Sequence, residues 1–404
     1  MVEKTVSINS HDLLVKDLKL SSLLEITQAI NANLPETSLY KIFQFTLLAN
    51  LSVVKLALFV KDEKWECKAN VGTSINYYNQ ELPKEIEEIK TITSIHYKAG
   101  DPFCDFDLVL PIIHKNSLLS YVFLQKKTEN GEIDQNFIQT FTNIILVAIE
   151  NKKFARRELA QEALKKEMQI AREVQSHLFP KDLPATNNLS LKAFYLPHQT
   201  IGGDYYDYID IDEDRSLICI ADVSGKGVPA AILMSNVQAA LRTMVRYTNN
   251  LEKIVNQLNE LILLHAKGNR FVTMFIGIID FTRKELSYIN SGHNSIPILQ
   301  ESGVTMLEKG STILGMFEKL PLVEVSTIAL LKNNHLFLYT DGLSECMNES
   351  DDEFGIERIL PLVQLEDTIN QTTMIENIIQ ATVQFKGTRT YNDDITLLSC
   401  HIQF

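Results

Sequence analysis

Apolar positions recur at helical spacing at Leu23, Leu24, Ile26 and Ile30, then at Ile42, Phe43, Phe45, Leu47 and Leu48, which predicts helix over residues 20–50. Residues 53–60 are almost entirely apolar and read as a strand. The charged turn Lys61-Asp62-Glu63-Lys64 follows. Trp65, Cys67, Ala69 and Val71 then alternate with polar residues, the pattern of a half-buried partner strand. A second hairpin is predicted at 108–113 and 118–124, joined by His114-Lys115-Asn116-Ser117. From about Asp134 a helix places Phe137, Phe141, Ile144, Ile145, Ala148 and Ile149 on one face. The order is helix, hairpin, irregular middle, hairpin, helix.

Over residues 20–150 this order resembles a GAF domain, a small sensory fold with a central antiparallel sheet carrying helices; a PAS-like domain is the nearest alternative. Residues 150–178 hold no Gly or Pro and are rich in Glu, Lys, Ala, Arg and Gln. Leu164, Ala171 and Leu178 are spaced by heptads, with Ala160 and Val174 in the same seam. Residues 151–180 therefore read as a helical linker, either a dimerising, signalling coiled coil or a solvated connecting helix. Beyond residue 188 short strands separated by turns take over: 189–196, 205–211, 216–222, 272–280, 286–290, 336–340 and 396–402. Helices are predicted from Pro229, well suited to a first helical turn, to about Tyr247, and over 251–266. Strands mostly outside βαβ alternation imply antiparallel sheets with helices packed outside, an α+β layout for residues 181–404.

Composition sharpens this division. The chain has 404 residues and a net charge of −13 from 51 acids and 38 bases. Residues 1–150 carry −5, residues 151–180 carry +3 and residues 181–404 carry −11. Such acidity is a poor match to nucleic acid or an anionic membrane surface. No apolar run approaches the ~20 residues of a membrane span. Met1-Val2-Glu3-Lys4 opens no signal peptide, and five scattered cysteines without a Cys-x-x-Cys pair fit a reducing compartment, so the expected location is cytoplasmic.

The candidate chemistry lies in four aspartate motifs at apparent strand ends: Gly202-Gly203-Asp204, Ala221-Asp222-Val223-Ser224-Gly225-Lys226-Gly227, Tyr339-Thr340-Asp341-Gly342-Leu343-Ser344-Glu345, and Asn392-Asp393-Asp394-Ile395-Thr396. A carboxylate closing an apolar strand is costly to leave partly buried without a cation. Four such sites argue for shared cations, and oxygen-only ligands favour hard divalent ions over zinc. Glycines beside three of the acids allow close backbone approach, so carbonyls can coordinate as well.

These motifs, in this order, resemble the metal-dependent (PPM) serine/threonine protein phosphatases, and within them the bacterial SpoIIE/RsbU-type branch. Ser291-Gly292-His293-Asn294, Phe354-Gly355, and Ala171-Arg172-Glu173-Val174-Gln175 leading to Leu178-Phe179-Pro180 also fit that branch. The resemblance covers residues 165–404. It implies an αββα sandwich with two Mn²⁺ or Mg²⁺ ions between the sheets. By position, Asp222 would bridge both ions and the Val223 carbonyl would complete one site. Asp204, Asp341 and Asp393 would add carboxylates. Asp393 is preferred to Asp394 because the wider family writes this motif Asp-Asn. Glu345, four residues after Asp341, stands where the wider family places an Asp of an additional, weaker metal. The implied reaction is phosphomonoester hydrolysis by in-line attack of an activated water, without a covalent phospho-enzyme. The expected substrate is a phosphorylated STAS-type anti-sigma-factor antagonist in a partner-switching pathway, with a signal at the GAF-like domain and a homodimer as its frame.

Several readings stay open. Eukaryotic members have Asp-Gly-His where this chain has Asp222-Val223-Ser224, so His293 is either the missing general acid or a loop histidine in a structural hydrogen bond. Lys226 meets either phosphate or solvent. The face Ala230, Ala231, Met234, Val237 and Leu241 is core, or a regulatory switch on Asp222. Gly202-Gly203-Asp204 also resembles the Gly-Gly-Asp-Glu-Phe signature of diguanylate cyclases, but the Glu is absent and the other three motifs have no place there. A sensor or scaffold that binds the partner without turnover is the alternative function; an intact carboxylate set argues against it.

Overall fold

The computed structural model describes residues 2–50, 53–98, 100–101, 103–115, 117–126, 134–363 and 370–404. It divides into two compact units, Met1–Glu162 and Ala163–Phe404.

In the first unit, helices α1 (Val2–Asn31) and α2 (Glu36–Asn50) precede the hairpin of β1 (Val53–Lys61) and β2 (Trp65–Val71). A short helix α3 (Lys84–Glu87) and strand β3 (Thr93–Ser94) lead to β4 (Leu108–His114) and β5 (Ser117–Lys126). Helix α4 (Gln135–Ser176) begins in this unit, and the division between the units falls inside it. The sheet runs β2-β1-β5-β4-β3, every pair antiparallel. Alternation along β1 explains its two cores. Leu56, Leu58 and Val60 pack with Ile26, Phe43, Phe141 and Ile145 of the helices, whereas Ala57 and Phe59 face Tyr77, Phe103 and Phe106. The helix predicted over 20–50 is two helices. Asn33 takes φ 54° and Pro35 follows, a left-handed residue and an imide that together end α1. Asn116, in the expected turn of the second hairpin, lies outside the described residues.

The second unit contains β6 (Leu189–Leu196), β7 (Tyr205–Asp210), β8 (Arg215–Val223), α5 (Val228–Val245), α6 (Leu251–Ala266), β9 (Val272–Asp280) and β10 (Glu285–Ser291). The short strands β11 (Ile296–Gln300), β12 (Gly303–Leu307), β13 (Gly310–Ser311) and β14 (Ser326–Ala329) follow. Then come β15 (Asn333–Tyr339), the small helices α7 (Asp341–Ser344) and α8 (Ile356–Ile359), α9 (Gln371–Lys386) and β16 (Ile395–Gln403). One sheet is β13-β10-β9-β8-β7, with β14 paired to β10; the other is β12-β11-β15-β16-β6. Their facing sides form a common core of Ile218, Ile220, Phe275 and Leu286 against Leu191, Ile298, Leu336, Leu338 and Leu398. The opposite side of the first sheet is covered by Leu233, Val237 and Leu241 of α5 and by Ile254, Leu258 and Ile262 of α6. The opposite side of the second meets Met374, Ile375 and Ile378 of α9. The arrangement is two sheets between outer helices, a mixed α+β unit. Strands β11–β14 and helix α9 carry no strong periodicity of their own; pairing and packing define them.

The linker expectation needs one correction. Leu178 lies beyond the end of α4 and packs against the core of the second unit, so the heptad seam loses its last member. Leu164 and Val174 remain exposed on α4. Among the described residues no helix is long and apolar enough to cross a membrane.

Candidate active site

Each of the four motifs sits at a strand end. Asp204 immediately precedes β7, Asp222 is the penultimate residue of β8, Asp341 opens α7 just beyond β15, and Asp393-Asp394 leads into β16. The strands belong to both sheets, so the sandwich gathers at one rim what the chain spreads over 190 positions.

Asp204 is fully buried. Its Oδ2 accepts hydrogen bonds from the Thr340 hydroxyl at 2.8 Å and the Thr396 hydroxyl at 2.5 Å. Thr396 N–H in turn donates to Thr340 Oγ1 at 2.9 Å. Sequence reasoning missed these two threonines, although Thr340 stands beside Asp341 and Thr396 two residues after Asp394. Burial and the neighbouring Asp222 and Asp394 push the Asp204 carboxyl well above the usual carboxylate range. Burial, Asp341 and Asp393 push Asp222 up to about 7. Asp341 is raised by burial and by Asp393, and Glu345, exposed at the margin, by burial and by Asp341. These shifts mark a group of acids that repel one another through a poorly solvated rim.

The one ion pair formed by these acids among the described residues joins Asp393 to Lys226, at 2.9 Å. Lys226 Nζ also donates to the Asn392 carbonyl. The exposed lysine thus leans on the Asp393 loop while its side chain stays open to solvent. Asp394 differs from its neighbour. Its Oδ1 accepts the His198 N–H and its Oδ2 the Gly203 N–H, both at 2.7 Å, which ties β16 to the Asp204 loop. Asp394 spends its oxygens on backbone donors; Asp393 keeps one facing Lys226 and takes the Asp394 N–H on the other.

Two glycines permit this packing. A Cβ on Gly202 would lie 2.3 Å from Asp394 Oδ2, and one on Gly342 would lie 2.0 Å from the Asp394 carbonyl oxygen. The loop after Asp222 is held by Arg270, whose Nη1 donates to the Ser224 carbonyl at 2.7 Å; Ser224 Oγ accepts the Phe271 N–H at 2.8 Å. Arg270 lies far from every motif in sequence and gave no signal.

His293 is engaged at both ring nitrogens. Nε2 meets the Tyr339 carbonyl at 3.1 Å, which only accepts, so Nε2 carries the proton; Nδ1 then accepts from the Thr273 hydroxyl at 2.8 Å. Burial lowers its pKa to about 4, keeping the ring neutral. The geometry gives His293 a structural hydrogen-bonding role. The predicted α5 face, Ala230, Ala231, Met234, Val237 and Leu241, is buried core.

The donor set is chemically suited to a hard divalent cation: carboxylates, a nearby backbone carbonyl at Val223, no sulfur, and an excess of negative charge met by one lysine. Among the described residues no group of three or more His, Cys, Asp or Glu side chains is arranged so that it could hold a metal ion as it stands.

Residues 212–403 match the family model for Stage II sporulation protein E (SpoIIE). The match supports a SpoIIE/RsbU-type protein serine/threonine phosphatase domain in the second unit. The chain is 26% identical over 242 residues to phosphoserine phosphatase RsbU of Bacillus subtilis, covering 59% of this chain and 70% of that protein. It is 26% identical over 186 residues to phosphoserine phosphatase RsbP of the same organism, covering 45% of this chain and 46% of that relative. The SiaA-PP2C domain of Pseudomonas aeruginosa shares the fold, with a TM-score of 0.53 at 20% identity over 61% of this chain and 98% of that one. The SpoIIE match begins at residue 212, inside the second unit, and so leaves Asp204 and the whole first unit outside it.

Proposed function

We propose that this protein is a signal-regulated, metal-dependent phosphatase that removes phosphate from phosphoserine or phosphothreonine of a STAS-type anti-sigma-factor antagonist. The observation that carries the reading is the electrostatic coupling of Asp204, Asp222, Asp341 and Asp393 at one rim with a single lysine among them. Asp204, Asp222, Asp341 and Asp393, with the Val223 carbonyl, would hold two Mn²⁺ or Mg²⁺ ions, and Glu345 would serve a weaker site. Asp394 is the poorer ligand because its oxygens hold backbone N–H groups. When bound, such a pair of ions acidifies water and neutralises the charge of the phosphoryl group. Thr340 and Thr396 orient the Asp204 carboxylate, Lys226 holds Asp393, and Arg270 shapes the Ser224–Gly227 turn.

The first unit is read as a GAF-like sensor and α4 as the signalling helix of a homodimer. Support comes from an antiparallel sheet with helices on one face, and from apolar side chains exposed along α4. The acidic chain gives no reason to invoke nucleic acid, and the cytoplasm is the proposed location. RsbU and RsbP, phosphoserine phosphatases by name, support the substrate class. The test is phosphate release from a phospho-STAS protein and from p-nitrophenyl phosphate, with Mn²⁺ and then with EDTA. Metal-dependent turnover is expected on both. Absence of turnover on either substrate would favour the scaffold reading.

A further inference from the structure

We propose that Gln175, in the last turn of α4, is a positioning residue that sets the metal affinity of the site by clamping the backbone that carries Asp204; this rests on Asp204 being a metal ligand. Between residues 172 and 177, Gln175 is the buried side chain, 6% exposed, while its neighbours face solvent. A buried carboxamide on an otherwise solvated helix end is stable when its groups are paired. Here they are paired in both directions with one residue. Gln175 Nε2 donates to the Gly202 carbonyl at 2.7 Å, and the Gly202 N–H donates to Gln175 Oε1 at 3.3 Å. Gly203 N–H donates to Asp394 on the next peptide. The 202–204 segment is thus gripped by α4 through Gln175 and by β16 through Asp394, and the hydroxyls of Thr340 and Thr396 fix the Asp204 carboxylate beyond it.

The turn after α4 is itself docked. Gln238 of α5 donates to the Leu178 carbonyl at 3.1 Å, and the Phe179 ring packs on Tyr195 and Tyr206 at 4.8 and 5.0 Å. Seating that turn brings the Gln175 carboxamide to Gly202. A frayed or rotated helix end removes it, and Asp204 is then held from one side only. Metal affinity, rather than the chemical step at saturating metal, is the quantity that changes.

The full-length chain tests this with Gln175→Met, which keeps size and loses both hydrogen bonds, and Gln175→Glu, which sets a carboxylate against the Gly202 carbonyl. Gln238→Met is the control for docking of the turn. Mn²⁺ binding is followed by calorimetry, melting temperature is measured with Mn²⁺ and with EDTA, and p-nitrophenyl phosphate turnover is titrated with Mn²⁺. Both Gln175 variants are expected to weaken Mn²⁺ binding about tenfold, the scale of one or two net hydrogen bonds. Turnover at saturating Mn²⁺ should stay within about twofold, because the side chain reaches no substrate. Gln238→Met is expected to lower the melting temperature and to weaken Mn²⁺ binding by less than either Gln175 variant, because it loosens the seat of the turn while both Gln175 hydrogen bonds remain available. Wild-type Mn²⁺ affinity in either folded Gln175 variant overturns the inference, as does equal weakening in Gln238→Met. A wild-type chain that binds no Mn²⁺ overturns the metal reading itself, a result distinct from these.

Discussion

Asp222 and Asp394 are both acids at a strand end, yet their surroundings give them opposite roles. Asp394 accepts two backbone N–H groups that partly offset the burial raising its pKa, whereas burial, Asp341 and Asp393 push Asp222 up to about 7. In the metal-free protein the Asp222 contribution to stability is full below its ordinary pKa near 3.8 and is lost as pH rises through about 7. Asp222→Asn should therefore stabilise the protein in EDTA at pH 8, on the order of 2 kcal/mol. It should also abolish the Mn²⁺-induced rise in melting temperature and lower turnover by a thousandfold or more on the order expected for a lost metal ligand. Thermal melts with and without Mn²⁺, run beside a phosphatase assay, check all three; retained activity removes Asp222 from the metal site. His293 acts in the opposite sense. Its folded-state pKa of about 4 lies below the ordinary 6.5, so its contribution is full above about pH 6.5 and is lost as pH falls toward 4. Wild type should lose about 3 kcal/mol more than His293→Gln between pH 7 and pH 4, read from urea unfolding at the two pH values. Equal losses in the two proteins would remove the buried neutral imidazole from the account.

At the scale of elements, α5 is coupled to the site by more than its apolar face. Arg242, in its last turn, makes two hydrogen bonds to the fully buried Asp207 of β7, at 2.6 and 2.7 Å, and the Tyr205 hydroxyl reaches the same carboxylate. The helix that begins just after Asp222 is thus pinned at its far end to the strand that begins just after Asp204. Arg242→Met should leave Asp207 buried and unpaired and cost about 3 kcal/mol, the low end for breaking a buried pair, because the Arg242 side chain is 40% exposed. Denaturant unfolding of the variant gives the number. An Arg242→Met, Asp207→Asn double variant should recover part of it, since no charge is then stranded. A loss below about 0.5 kcal/mol would mean that solvent already screens the pair. Amphipathic α6 was legible to the residue, because Asn250 caps it and a strong apolar stripe runs its length. The break between α1 and α2 was not read, because both flanking helices continue the same apolar spacing, although Pro35 marks it in the sequence.

At the scale of the molecule, the acidity of residues 181–404 gains a location. Five of its negative charges are Asp204, Asp222, Asp341, Glu345 and Asp393, which the sandwich brings to one rim. Removing residues 1–150 should alter the regulation or the oligomeric state while leaving Mn²⁺-dependent turnover of p-nitrophenyl phosphate intact, as light scattering and the assay would show; a truncated chain identical to the whole in both respects ends the sensory reading. By itself the sequence determined the strands that carry the four aspartates, the α+β character and the chemistry of an oxygen-rich site. These depend on local alternation and on residue types that keep their meaning wherever they stand. Only the tertiary structure decided that Asp394 serves the backbone, that His293 holds a neutral ring between β9 and β15, and that Leu178 leaves the heptad seam for the core. It alone brought Gln175, Thr340, Thr396, Arg242 and Arg270 to the aspartate loops. Those roles arise from hydrogen bonds between residues up to 196 positions apart, and such bonds leave no period in the chain.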